Sequence, residues 1–378
     1  MNRFYAIFFF LLTANTLLPI PIDKLCLFLC VLYILFLKHD KDRAFLDSNY
    51  IAICLSILSV AVIGAIINTS FDPMLYYPIV GVMFVSFYRK EPNLQSNLYY
   101  GLLIHIILGV LLYFTSYLYL HPFVRNMAEK GAPFLHASLG FASTNQTFGT
   151  YCILWFIIYF DRKRAKQLIS RWHRVFYIIV LIAIISTFNR SSYIFFLLIV
   201  FFRNRRLALS IVLGLVILVT VFFNEFKTFI LNADTLDSRN DLLQGFRKSY
   251  LQSNSLLVYI FGRGAVFVTD QIAMGTTWSD RKDIENGYAF ILHGYGIIGL
   301  ILYVLIGLFN MLSLFFNKRR FESIVLCFYM FFSLYFTQEL VTNAFYLFLA
   351  YILRKHSPKI KKGYNANKAQ SDLQCYGN

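Results

Sequence analysis

The chain has 378 residues, 58% of them hydrophobic and 19% aromatic, with a formal net charge of +16 and a mean hydropathy of +0.60. This composition excludes an ordinary soluble core and fits a polytopic membrane protein. The positive charge does not indicate nucleic-acid binding, because the basic residues sit in short loops between apolar runs, as the positive-inside rule describes.

In chain order the apolar runs are Phe4–Leu18, Leu25–Leu37, Tyr50–Asn68, Met74–Tyr88, Tyr99–Leu120, Thr147–Phe160, Val175–Phe188, Ser191–Phe202, Leu207–Phe223, Tyr288–Phe316, Phe321–Phe336 and Leu340–Leu353, twelve in all. Several are shorter than the roughly 20 residues of a full span, so flanking residues, tilt or burial in the bundle must make up the difference. No small-residue cleavage site follows the first run, which reads as a retained span. Basic residues cluster at Lys38–Arg43, Arg89–Lys90, Arg162–Arg174, Arg203–Arg206, Lys318–Arg320 and Arg354–Lys362. Twelve spans with both termini cytoplasmic place all six clusters on the cytoplasmic side. The predicted fold is therefore an all-α polytopic membrane protein. Residues 1–353 form the integral domain, with outer loops at 121–146 and 224–287, and residues 354–378 form a basic cytoplasmic tail. The larger loop, between helices 9 and 10, has about 64 residues, longer than a structureless connection normally runs. Within it Ser238–Ser249 reads as a short amphipathic helix behind an Asp237-Ser238 cap.

The charge pattern assigns a side to Arg190. One continuous helix over Val175–Phe202 would put the basic clusters 162–174 and 203–206 on opposite faces, whereas a hairpin with Arg190 at its outer tip keeps them together. The same parity splits the long stretch Phe321–Leu353 near Glu339. A charge near membrane depth is expensive and usually has a job. Arginine offers a planar, permanently charged fork suited to phosphate oxygens; the plainer alternative is a surface arginine near lipid headgroups. Arg239 opens the loop helix, with a salt bridge to Asp237 or Asp241 as its alternative. Arg263, between Gly262 and Gly264, either contacts a ligand or braces the glycine turn. Glu285, Asn286 and Tyr288 enter the next span, where a carboxylate can act as general base or simply favour a helix start. Asn145 closes the first outer loop, with capping as its alternative; Asn189 precedes Arg190; and Glu339 lies beside Thr342 and Asn343, with capping and bundle hydrogen bonding as the alternative. The histidines form no HxxxH or HExxH pattern and the cysteines no CxxC pair, so a metal site is not expected. A P-loop is absent from the sequence.

The order of these motifs resembles that of the O-antigen ligase/polymerase superfamily. Asn189-Arg190-Ser191-Ser192 is similar to its Ser-Arg-Gly/Ser segment. Ser238-Arg239 with a glycine turn about two dozen residues on is similar to its large periplasmic loop. Glu285-Asn286-Gly287-Tyr288 through Gly296-Ile297-Ile298-Gly299-Leu300 resembles its His-Asn segment followed by Gly-Ile/Leu-Ile-Gly-Leu, and Ser143-Thr144-Asn145 an Asn-containing segment before a mid-chain span. The resemblance implies a GT-C-like helical fold in the bacterial inner membrane. Its implied activity joins undecaprenyl-diphosphate-linked oligosaccharide repeat units at the periplasmic face, with no cofactor, nucleotide or metal. Arg190 and Arg239 would hold the diphosphate and Glu285 would activate the acceptor hydroxyl. Asn145, Asn189, Arg263, Asn286, Tyr288 and Glu339 would line the substrate site. Partners would be the lipid-linked oligosaccharide, membrane lipid and a chain-length regulator protein. Ligases of the superfamily carry His where this chain has Glu285, which shifts the expectation from ligase toward Wzy-type polymerase. An exporter or flippase is the alternative of another class, and it should carry charges through the membrane depth.

Overall fold

A computed structural model describes residues 3–18, 21–36, 47–91, 93–128, 132–165, 172–221, 243–265, 284, 286–336 and 339–354. The chain is mostly helical. The helices are α1 (Arg3–Leu11), α2 (Ile22–Phe36), α3 (Ser48–Asn68), α4 (Tyr77–Tyr88), α5 (Leu94–Thr115), α6 (Asn145–Arg164), α7 (Trp172–Ser186), α8 (Arg190–Arg203), α9 (Arg205–Val221), α10 (Leu256–Phe261), α11 (Gly287–Phe316), α12 (Arg320–Cys327) and α13 (Asn343–Ile352). Three of them, α3, α5 and α11, are long and apolar enough to cross a membrane. A π-helical turn over Phe328–Ser333 and a helical turn over Leu334–Phe336 prolong α12. The start of the expected loop helix at Ser238 lies outside the described residues; its end appears as helix over residues 243–246 and a π-helical turn over Arg247–Leu251.

Helix α6 is the centre of the bundle. Every side chain from Thr147 to Tyr159 is buried, and α5, α7, α8 and α13 pack around it. A helix apolar on all sides can only be buried or face lipid, and here its neighbours bury it. It begins earlier than the apolar run implies, because Thr144 caps it by accepting from Thr147 N at 3.1 Å. The break between α7 and α8 falls where the charge pattern puts it, at Thr187–Asn189. Phe188 there has φ 47°, a left-handed conformation that costs a non-glycine residue on the order of 1 kcal/mol. The expected first outer loop instead contains an antiparallel hairpin, β1 (Val124–Met127) with β2 (Ala132–Ser138), Val124 facing Ser138. It is a small departure from an all-α fold. Its Met127 and Ala137 pack against Phe188, so the hairpin sits on the α7–α8 turn.

Two further contacts shape the bundle. Phe141 N donates to His105 Nε2 at 2.9 Å, so the ring proton is on Nδ1 and donates to Thr13 Oγ1 at 2.7 Å. Thr13 in turn donates to Phe10 O, and α1, α5 and the segment after β2 are pinned together. Helix α11 breaks at Gly296, φ 67° and ψ −166°, a conformation open essentially to glycine alone. A Cβ at Gly296 would collide with Ile260 O, so the break lets α10 approach backbone to backbone.

At one end of the bundle Asp161 closes a clasp. It accepts from Arg203 at 2.5 Å, Arg354 at 2.8 Å and Tyr351 OH at 2.9 Å. Arg319 donates to the carbonyls of Arg354 and Ile352 at 2.9 and 2.7 Å. The ends of α6, α8, α12 and α13 that carry basic residues thus meet. Asp161→Ala would leave two largely buried guanidinium groups without their carboxylate, at a cost of about 3–5 kcal/mol. The expected outcome is a clearly lowered melting temperature in detergent; an unchanged one would show that the clasp is not needed.

Candidate functional site

The opposite end of the bundle gathers most of the candidate residues around the first turns of α6. Asn145 Nδ2 donates to Thr187 O at 2.8 Å, which ties α6 to the turn that carries Asn189 and Arg190. Gln146 Nε2 donates to Phe336 O at 3.3 Å. One turn deeper, Thr150 Oγ1 donates to Glu339 Oε1 at 2.8 Å, and Tyr329 OH donates to Glu339 Oε2. Asn286 caps α11 through Tyr288 N and Ala289 N, at 2.9 and 3.0 Å, while its Nδ2 donates to Tyr335 O at 3.0 Å. Tyr288 OH donates to Phe331 O at 2.7 Å. One hydrogen-bonded frame therefore links Asn145, the Asn189-Arg190 turn, Asn286, Tyr288 and Glu339.

Within that frame Asn189 caps α8. Its Oδ1 accepts from Ser191 N at 3.0 Å and Ser191 Oγ at 2.9 Å. Its Nδ2 is buried with no hydrogen-bond partner, a group that costs free energy until an acceptor arrives. Arg190 is the first residue of α8 and is exposed. Gly149 lets α6 and α8 close up, since a Cβ there would meet Ser192 Oγ. The arrangement offers an amide donor, a helix N-terminus and a guanidinium at one place, a combination suited to an anion.

Glu339 lies in the turn between the α12 segment and α13 and is 3% exposed. Burial pushes its carboxyl up to about 7, with the two hydroxyl donors holding it down only in part. Among the described residues no basic side chain pairs with it.

Arg263 stands apart from this frame. Its Nε and Nη2 donate to Ser249 O at 3.0 and 2.5 Å, its backbone N to His293 O at 2.6 Å, and its carbonyl accepts from Ser70 Oγ at 2.6 Å. Here it braces the glycine turn, the second of its two expected roles. His293 belongs to the same brace: Nδ1–H donates to Ala265 O at 2.8 Å and Nε2 accepts from Ser249 Oγ at 2.8 Å. Arg239 and Glu285 lie outside the described residues.

Sequence reasoning missed Thr150 and Tyr329, the donors to Glu339. The one available signal for Thr150 was a polar residue inside an apolar run, and a partner 189 positions away carries no local signature; Tyr329 is only 10 positions from Glu339, but a tyrosine in an apolar run reads as core packing. At Asn343 the structure shows the bundle hydrogen bonding expected as its alternative: Nδ2 donates to Leu12 O and Asp23 O, both at 2.8 Å, and Tyr77 OH donates to its Oδ1. No family model, curated protein or solved structure matches this chain.

The raised Glu339 carboxyl makes a prediction with a definite sign. The folded chain keeps this proton where the unfolded chain has released it, so its contribution to stability is full below the ordinary glutamate value of 4.5 and is lost as pH rises to about 7. Melting temperatures measured from pH 4.5 to 8 should decline over that window in the wild type. Glu339→Gln should flatten the decline; the same slope in both proteins would show that Glu339 does not titrate there.

Proposed function

We propose that the chain is a bacterial inner-membrane polysaccharide polymerase that joins undecaprenyl-diphosphate-linked oligosaccharide repeat units at the periplasmic face. The observation that carries the reading is the start of α8, where the unpartnered Asn189 amide, the helix N-terminus and Arg190 converge. A diphosphate matches all three by charge and by acceptor count. Two further supports are the motif order resembling the O-antigen ligase/polymerase superfamily and the gathering of basic helix ends away from the candidate site. With twelve spans and cytoplasmic termini, those basic ends face the cytoplasm and the Arg190 end faces the periplasm, where flipped lipid-linked sugars reside.

In this scheme the growing chain on one lipid diphosphate is the donor. A hydroxyl at the non-reducing end of the incoming unit attacks the donor's anomeric carbon. The anomeric C–O bond to the diphosphate breaks, and the diphosphate leaves with the electron pair. Arg190, joined by Arg239, stabilises the charge gathering on the leaving group. Glu285 takes the hydroxyl proton. Asn189 donates to a diphosphate oxygen, while Asn145, Asn286, Tyr288 and Glu339 hold the walls of the site. The energy resides in the sugar–diphosphate bond, so the step needs no nucleotide or metal. A chain-length regulator protein would set the extent of polymerisation. Glu285, in place of the histidine of the ligases, favours polymerase over transfer to lipid A-core.

A gel of surface polysaccharide from a deletion strain tests the class. A single repeat unit on lipid A-core is the expected result. Free polymer with bare core would indicate a ligase, and a normal ladder would sink both readings. Arg190→Lys tests the site: it keeps the charge but loses the fork, so polymer yield should fall by at least about tenfold, the loss of one strong charged hydrogen bond in the transition state. Wild-type polymer from a well-expressed Arg190→Lys protein would remove Arg190 from the mechanism.

A further inference from the structure

On the side of the bundle away from α6, an apolar cavity of about 120 Å³ opens into a groove between α3, α4, α11 and α13. Ile57, Val82, Leu302 and Leu349 are among its walls, and it follows α11 from Ile291 to Asn310, on the order of 25 Å along the helix axis. Apolar cavities of this size stay dry and accept hydrocarbon guests.

The end of the groove nearest the start of α3 is not apolar. Tyr50 lines it and is nine-tenths buried, and its hydroxyl has no hydrogen-bond partner. The Arg89 guanidinium lies 4.5 Å from the centre of the Tyr50 ring, and Arg89 Nε is also buried without a partner. Arg89 and Lys90 share Asp47, at 2.9 Å for Lys90. Burial disfavours the charge on Arg89, and burial together with Arg89 disfavours that on Lys90. The charges shown beside this mouth are Arg89 and Lys90 against Asp47. Two adjacent buried donors therefore lack an acceptor, in a net positive setting, where a hydrocarbon-lined groove ends. An ammonium head adds donors and no charge match, and a bare polyprenyl tail supplies no acceptor at all.

We infer that this groove is a binding site for one anionic phospholipid of the leaflet at the basic end, with an acyl chain along α3 and α11 and its phosphate and ester oxygens at Tyr50 and Arg89. The site is separate from the Arg190 frame and does not rest on the polymerase reading. Its role is to fill a gap between α3 and α11 that protein side chains leave open.

The test uses the full chain in nanodiscs of phosphatidylethanolamine with a minority of phosphatidylglycerol, followed by native mass spectrometry and analysis of the retained lipid. The wild type should retain phosphatidylglycerol enriched about fivefold over its share, as one added charged hydrogen bond provides. Tyr50→Phe, which loses a donor to oxygens that both lipids carry, should retain less lipid, and Lys90→Gln, which removes positive charge from the mouth, should lose most of the enrichment. Ile57→Trp should fill the groove and release the lipid; if it does not fold, the wild type and Tyr50→Phe still decide. Retained lipid of bulk composition, no retained lipid, or a polyprenyl species in its place would each overturn the proposal.

Discussion

Asp161 and Thr150 lie eleven residues apart on α6, and the bundle depends on both. Asp161 collects donors from α8 and α13 at one end; Thr150, with Asn145, reaches the Glu339 turn and the α7–α8 turn at the other. Between them α6 is buried from Tyr151 to Tyr159 and carries no charge. In such surroundings packing alone is weakly directional, because one apolar side chain substitutes readily for another. Polar groups that must find partners supply the register. These two clasps fix how far α8 and α13 can slide along α6, and therefore where Arg190 and Glu339 come to rest.

The candidate site inherits its geometry from that register. Asn145 and Thr187 are 42 positions apart, and their hydrogen bond sets the turn on which Asn189 caps α8. The turn is held from the far side by Met127 and Ala137 of the hairpin, which pack on Phe188. Phe188 retains a left-handed backbone because its surroundings over-determine it, a kind of local strain that tends to collect at functional sites. A short turn held from both sides presents a guanidinium and a buried amide donor with little freedom to move, and that is the preorganisation an anion site requires.

The histidines show the opposite use of buried polarity. His105 and His293 each donate from Nδ1 and accept at Nε2. Each joins segments distant in the chain: His105 holds α1 to α5, and His293 holds the glycine turn at Arg263 to the kinked start of α11. With both ring nitrogens engaged, neither ring has a nitrogen available to a substrate.

Much of the organisation is legible in the sequence. The run of apolar segments establishes a helical membrane protein, and the basic clusters lead to an expectation of which helix ends belong together, which the structure shows for Arg203, Arg319 and Arg354 near Asp161. The break before Arg190 and the break near Glu339 follow from that parity alone. Tertiary structure decided the rest. The hairpin at Val124–Ser138 was hidden because its pairing depends on the Phe188 surface beneath it. Arg263 and Arg190 look alike as loop arginines, and only the fold turns one onto the Ser249 carbonyl and makes the other the first residue of α8. Composition can place a polar residue in an apolar run, but its partner is chosen by register between helices far apart in sequence, and register is a property of the packed bundle.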